Sequence, residues 1–455
     1  MNKRDFLAVG GAVPLMLAGC GGSGTGSAPV RLVNASVGYP NLGFMIESTQ
    51  ETTTDVAYGH ASSYINVQAG AVGVTLTVGN SAATSAQTRT IAKDQRYSLI
   101  AYGYLNELKP LLVAESNITP DTGKANINVL NTSVDMGAVD VYLSTTTDLS
   151  IATQIGASVT GVSQSAFTGV LAGSYFITVV GAGSIQQNIS DVRFQTPAAV
   201  PLTALKTYTV VLTPGASGVL ANAIILTQGT ADETAPTTPY ENTTARVRAV
   251  TAIPGKAASV VGATAAGAVV TVLATSTTQK YSKYFVVKTG AAPTVTVDGA
   301  AIPVTMDSTD ATTGLTTQVP AALLAGGDYT ILVYLDGSGN VVAKMVEDNN
   351  TAAVTSAGVK FRLINIASDN QGLELSMALN GVGIASNIPY GAASDYHEVP
   401  NVPQATASVL TVSNGAAAII TKSLVVPLGN VFTEIVVSVP ASGTPLDFFA
   451  SASGN

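Results

Sequence analysis

The chain has one cysteine, Cys20, no tryptophan and two histidines, His60 and His397. Charged residues make up only 11% of its 455 positions and aromatics only 6%. Each scarcity removes a class of chemistry. With no cysteine after Cys20 there is no internal disulfide, so stability must come from packed cores. A zinc site would need carboxylates around an isolated histidine, since neither histidine sits in a spacing such as His-x-x-x-His. A serine nucleophile needs a positioned base, and no Gly-x-Ser-x-Gly elbow occurs; Gly215-Ala216-Ser217-Gly218 reads as a turn between strands. A net charge of −8 disfavours nucleic acid, which is bound through Lys and Arg at phosphates. Sparse aromatics leave no pair of aromatic girdles for a membrane β-barrel. The apolar stretch from Phe6 to Ala18 is shorter than the roughly 20 residues a spanning helix needs.

What the chain does have is internal repetition. Val30-Arg31-Leu32-Val33-Asn34-Ala35-Ser36 returns as Ile127-Asn128-Val129-Leu130-Asn131-Thr132-Ser133. It comes back loosely as Val247-Arg248-Ala249-Val250-Thr251-Ala252, and clearly as Phe361-Arg362-Leu363-Ile364-Asn365-Ile366-Ala367. With Asn34, Asn131, Thr251 and Asn365 as equivalents, the steps are 97, 120 and 114 residues, the size of domains. Tyr58-Gly59-His60-Ala61-Ser62-Ser63-Tyr64 is echoed by Tyr390-Gly391-Ala392-Ala393-Ser394-Asp395-Tyr396. The Thr-, Pro- and acid-rich run from Thr230 to Pro239 reads as a linker. The expected units are therefore copy one at 29–122, copy two at 123–229, a linker at 230–244, a divergent copy three at 245–357 and copy four at 358–450. The central linker suggests two pairs, one-two and three-four.

Within each copy the period is two, as in Val72-Gly73-Val74-Thr75-Leu76-Thr77-Val78. Turn residues such as Asp336-Gly337-Ser338-Gly339 separate the runs, and long amphipathic helical stretches with caps are missing. Leu324-Ala325-Gly326-Gly327-Asp328-Tyr329 resembles the tyrosine corner of immunoglobulin-like sandwiches, where a Tyr hydroxyl bonds back to the backbone. Leu171-Ala172-Gly173-Ser174-Tyr175 and Lys206-Thr207-Tyr208 are similar. The fold class predicted is all-β, as tandem immunoglobulin-like antiparallel β-sandwich modules. Taken with Val139-Asp140-Val141-Tyr142-Leu143, these phrases resemble the DUF4397 family. The resemblance spans most of residues 29–445 and is weakest in copy three. It implies envelope or surface domains in tandem, often on lipoproteins, with no established activity and no catalytic residues to carry over.

The start of the chain resembles an export signal. Lys3 and Arg4 precede the apolar stretch, and Leu17-Ala18-Gly19-Cys20 resembles the lipobox of bacterial lipoproteins. That resemblance implies cleavage of a signal peptide at 1–19 and lipidation of Cys20, with several acyl chains giving stable anchoring. Lys3-Arg4-Asp5-Phe6-Leu7 also looks like a relaxed twin-arginine signal, which leaves the export route open. Residues 20–28 then form the lipidated cysteine and a flexible tether. Gly21 after the cysteine, where no Asp signals inner-membrane retention, favours the outer membrane or cell surface.

Three groups remained as candidates for chemistry. Asp140 stands in a distinctive phrase, but its counterparts are Gly43 and Glu374, so it reads as an outward-facing polar strand position. Glu347-Asp348-Asn349-Asn350 offers oxygen ligands for calcium but lacks the usual loop order, and reads as a solvated acidic turn. The 16 tyrosines could build a platform for carbohydrate or protein. No catalytic, cofactor or metal residue is assigned, and Cys20 alone carries assigned chemistry. The expected partners are a membrane, through lipid on Cys20, and a carbohydrate or protein ligand. The expected function is a non-enzymatic cell-envelope lipoprotein for binding, adhesion or scaffolding, with a polysaccharide-binding or polysaccharide-processing surface lipoprotein as the alternative.

Overall fold

A computed structural model describes residues 26–451, apart from 52–54, 134, 184–190, 230–236, 266, 277, 310–314, 354–357, 405 and 442. Cys20, the signal segment and the first part of the linker therefore lie outside the described residues. The described chain is all-β and built as sandwich-like modules with four separate apolar cores.

The same plan recurs four times. An opening strand runs parallel to a middle strand, which pairs antiparallel with a closing strand. In copy one these are Ser27–Ala35, Tyr97–Tyr102 and Lys109–Ala114. In copy two they are Lys124–Asn131, Thr207–Pro214 and Ala221–Gln228. Copy three uses Thr244–Thr251, Asp328–Leu335 and Val341–Asp348. Copy four uses Val359–Asn365, Val431–Ser438 and Leu446–Ser451. Antiparallel pairs build the second sheet of each sandwich, for example Asn41–Ile46 with Gly70–Val78 and Leu375–Leu379 with Ser408–Asn414. The antiparallel reading thus gains this parallel pairing in every copy, and copy three adds a second, Val304–Thr309 beside Val341–Asp348. The shared pairing is possible because the chain crosses through the second sheet before the middle strand, which supplies the long connection that parallel neighbours need.

The opening and middle strands are buried almost throughout, Lys360 to Asn365 and Thr207 to Pro214 among them. A sandwich strand facing water on one side would alternate; these do not, because both faces are covered. One face meets the copy's own core. The other meets a neighbouring copy: Val33, Ala35 and Ile100 pack on Leu130, Val211, Ile224 and Leu226. Likewise Val250, Ala252, Leu332 and Tyr334 pack on Ile364, Ile366, Ile435 and Val437. Copies one and two, and copies three and four, are joined sheet on sheet.

The recurring asparagine ties each opening strand to its second sheet. The Asn34 amide donates to the carbonyls of Tyr39 and Val56, each at 3.0 Å, and its oxygen accepts from the Ser36 N–H. Asn131 repeats this with Gly137, Val159 and Ser133, and Asn365 with Leu373, Ile388 and Ala367. All three are fully buried. At the equivalent position of copy three, the Thr251 hydroxyl has no hydrogen-bond partner, so the divergence of that copy is physical as well as textual.

Tyrosine corners occur in three copies. Tyr97, Tyr208 and Tyr329 each accept the N–H of the residue five places earlier, Ala92, Thr203 and Leu324, at 3.0 Å. Tyr175 instead donates to the Leu171 carbonyl. In copy four Phe432 takes the corner position and stacks on Phe449 at 4.9 Å and Phe361 at 5.6 Å.

Residues 237–240 of the expected linker form an edge strand on the closing strand of copy two. Asn242 then holds the carbonyls of Arg193 and Ala221. The two pairs also touch. The Ser217 N–H donates to the Gly326 carbonyl and its hydroxyl accepts the Asp328 N–H, so the Gly215–Gly218 turn docks on the Gly326-Gly327 turn. A side chain at Gly218, whose φ is +95°, would meet the Thr351 Cα at 2.9 Å.

Removing one asparagine strands two buried carbonyls and an N–H. Asn34→Ala, Asn131→Ala and Asn365→Ala are each expected to cost roughly 2–4 kcal/mol in the unfolding of their copy. Thr251→Val should cost under about 0.5 kcal/mol or stabilise, because no bond is lost. Denaturant titrations followed by amide exchange copy by copy would check both.

Candidate functional site

The largest concentration of polar groups lies inside the pair interfaces, on the strands that carry the repeated phrase. Arg31, Asn128, Arg248 and Arg362 occupy equivalent places, each one residue after the position paired with the corner residue of the middle strand. Glu115, Gln228 and Asp348 are equivalent in turn, each opposite the residue preceding the corner tyrosine.

In copy one, Arg31 pairs with Glu115 at 2.9 Å and donates from Nε to the Ser98 hydroxyl at 3.1 Å. Ser98 and Tyr64 both donate to Glu115, at 2.6 Å each, and the guanidinium lies 4.7 Å from the Tyr64 ring centre. Copy three repeats this set. Arg248 donates to the Thr330 hydroxyl at 2.8 Å, Thr330 and Tyr284 donate to Asp348, and Arg248 stacks 4.7 Å from Tyr284. Arg246 also lies over that ring, at 4.4 Å, and holds Asp328 through two bonds of 2.8 and 2.6 Å. Copy two carries a neutral version, with Thr209 between Asn128 and Gln228 at 2.8 and 2.7 Å. In copy four Arg362 lies over Tyr396 and reaches across to Asp348 and the Glu347 carbonyl of copy three.

These groups bind copy to copy. The same Nη2 of Arg31 that meets Glu115 donates to the Thr227 carbonyl at 2.8 Å, and Glu115 accepts the Gly229 N–H at 3.0 Å. Arg248 meets the Thr433 hydroxyl at 3.0 Å. Burial raises the Tyr64 and Tyr284 hydroxyls above the usual phenol range and lowers the Arg362 guanidinium. Charges at this depth persist because each is paired and hydrogen-bonded. The arrangement orients and locks. Its carboxylates are occupied by cations and hydroxyls and offer no lone base to a substrate.

A cavity of about 250 Å³ between copies three and four is lined by Arg248, Tyr281, Ser282, Lys283, Tyr284 and Ser451. A second, of about 390 Å³, lies in copy three beside Val287, Pro293 and Leu323.

The residues singled out from sequence fall as follows. His60 and His397 are both exposed, and His60 contributes its backbone carbonyl to Asn34. Asp140 is not outward-facing: it is buried and accepts the N–H groups of Ser158 at 2.7 Å and Gly183 at 3.2 Å. The acid fixes the irregular edge beside its strand, where the pairing register shifts. The segment 347–350 is not a solvated turn, since Asp348 is fully buried and Asn350 bonds Asp328 at 2.7 Å. Every tyrosine is buried or half-buried. Among the described residues, no group of three or more His, Cys, Asp or Glu is placed to hold a metal ion. No helix of the described residues is long and apolar enough to cross a membrane. The Arg–hydroxyl–acid set was missed as a unit because its members are up to 100 residues apart; the signal was the offset of each from its corner tyrosine.

Arg31→Met would leave Glu115 buried without its cation and is expected to cost about 3–5 kcal/mol. The double change Arg31→Met with Glu115→Leu should cost clearly less than the single one, because both charges leave together. A double-mutant cycle in guanidinium would show it.

No curated protein matches this chain. Among solved structures it is similar to a proposed cell adhesion protein from Bacteroides uniformis, at 10% identity, covering 50% of this chain and 99% of that one. The TM-score is 0.19, too low for any property of that protein to be carried over. Residues 28–142 match a family model described as Domain of unknown function (DUF4397), so copy one and the start of copy two carry that domain's signature.

Proposed function

We propose that the protein is a non-enzymatic lipoprotein of the cell envelope, anchored by lipid on Cys20, that presents two double sandwiches for binding, adhesion or scaffolding. The observation that carries this reading is the use of the repeated motif. Its arginines, acids and asparagines are spent on joining copy to copy and sheet to sheet. The second sheets and their loops face away from those interfaces and are the surfaces a partner would meet. Antiparallel sandwiches commonly present their loops in this way on a rigid scaffold.

Two measurements test it. Cys20→Ser is expected to abolish incorporation of labelled fatty acid and move the protein from the membrane to the soluble fraction. Unchanged membrane association of that variant would defeat the anchoring part. Hydrolysis of envelope polysaccharide or peptide by the purified protein, abolished by changing one carboxylate, would defeat the non-enzymatic part.

A further inference from the structure

Copy four contains one acid where the other copies have core. Glu434 lies two residues after Phe432 on the middle strand, and its equivalents are Leu99, Val210 and Ile331, all fully buried. Asp447, paired with Val436 on the closing strand, corresponds to Pro110, Ala223 and Ala343. Two carboxyls therefore replace apolar core positions in a single copy. Between them comes Lys422 from the second sheet, on the strand Ala417–Leu424. Its amine lies 2.9 and 3.0 Å from the two Glu434 oxygens and touches the Asp447 carboxyl. The side chains of Lys422, Glu434 and Asp447 are 23%, 0% and 14% exposed. Phe449 covers the amine at 5.5 Å and stacks against Phe432.

As an ion pair this cluster is poorly matched, with two carboxyls and one amine buried in aromatic surroundings. Desolvation favours the neutral form of a carboxyl so placed. Burial accordingly pushes the Glu434 carboxyl up to about 7 against the opposing pull of Lys422. An amine in contact with a carboxyl, held in place by two packed strands and the Phe449 ring, is a condensation pair at very high effective concentration. The second carboxyl, Glu434, raised toward neutrality by burial, suits proton transfer between them.

We infer that Lys422 and Asp447 form an intramolecular amide bond, with Glu434 as the catalytic acid and base. Nζ of Lys422 attacks Cγ of Asp447, forming the C–N bond. Glu434 receives a proton from the nitrogen and returns one to the departing hydroxyl as the C–O bond breaks. One water leaves, and no oxidant or other reactant is needed. The bond joins the second sheet of copy four to its closing strand, so that the sandwich cannot be peeled open from that end. That is the role a disulfide would play, in a chain with no cysteine after Cys20.

Trypsin mapping of the denatured full-length protein decides the matter. The sequence has no Lys or Arg between Arg362 and Lys422, or between Lys422 and Asp447. The bonded protein should resist cleavage after Lys422 and give one peptide running from Leu363 to Asn455, lighter by one water. Glu434→Gln and Asp447→Ala should restore cleavage at Lys422 and the full mass. Ordinary cleavage after Lys422 in the unaltered protein, with no loss of water, would overturn the inference. So would a bond that persists in Glu434→Gln.

Discussion

The opening and middle strands of every copy are covered on both faces, and the rest of the structure follows from that constraint. A strand so placed must satisfy any polar side chain internally, since water cannot reach it. The repeated phrase does this in two directions. Its asparagine points to the copy's own second sheet and closes three hydrogen bonds there. Its arginine points to the neighbouring copy and is met by an acid, a hydroxyl and a tyrosine ring. Alternation of side chains along the strand separates the two tasks.

The pairs differ in how far the polar solution is carried. Pair one sets a charged copy against a neutral one, with Asn128, Thr209 and Gln228 in place of arginine and acid. Pair two has three arginines around two aspartates, and Arg362 borrows Asp348 because its own closing strand supplies no equivalent acid by Ser451. Buried ion pairs of this kind contribute little net stability compared with apolar packing, but they tolerate few alternative docking registers. Their value here lies in fixing which copy meets which, and in what register.

Much of this was legible in the sequence and some was not. Four copies, their order and the strand and turn character could be read from Asn34, Asn131, Thr251 and Asn365 and from the period of two. The corner role of Tyr208 and Tyr329 was legible because it is local; Tyr97 escaped notice, and Tyr175 bonds differently. Asp348 was misread because acids and asparagines at a strand end look solvated, and only the tertiary fold brings Arg248, Arg362 and Tyr284 to them. Asp140 was misread for a similar reason, since alternation shows which side a residue faces but not whether that side is covered. The Lys422, Glu434 and Asp447 cluster left one trace, a single acid in the apolar strand Val431-Phe432-Thr433-Glu434-Ile435-Val436. Its meaning appears when that position is set beside Leu99, Val210 and Ile331.

The central claim is that copies one and two form a single cooperative body through the interface around Arg31 and Glu115. Hydrogen exchange of the Arg31→Met protein tests this most directly. Coupled copies predict that amides of the middle and closing strands of copy two, Thr207–Pro214 and Ala221–Gln228, lose protection together with those of copy one. Loss confined to copy one, with copy two protected as before, would contradict the account.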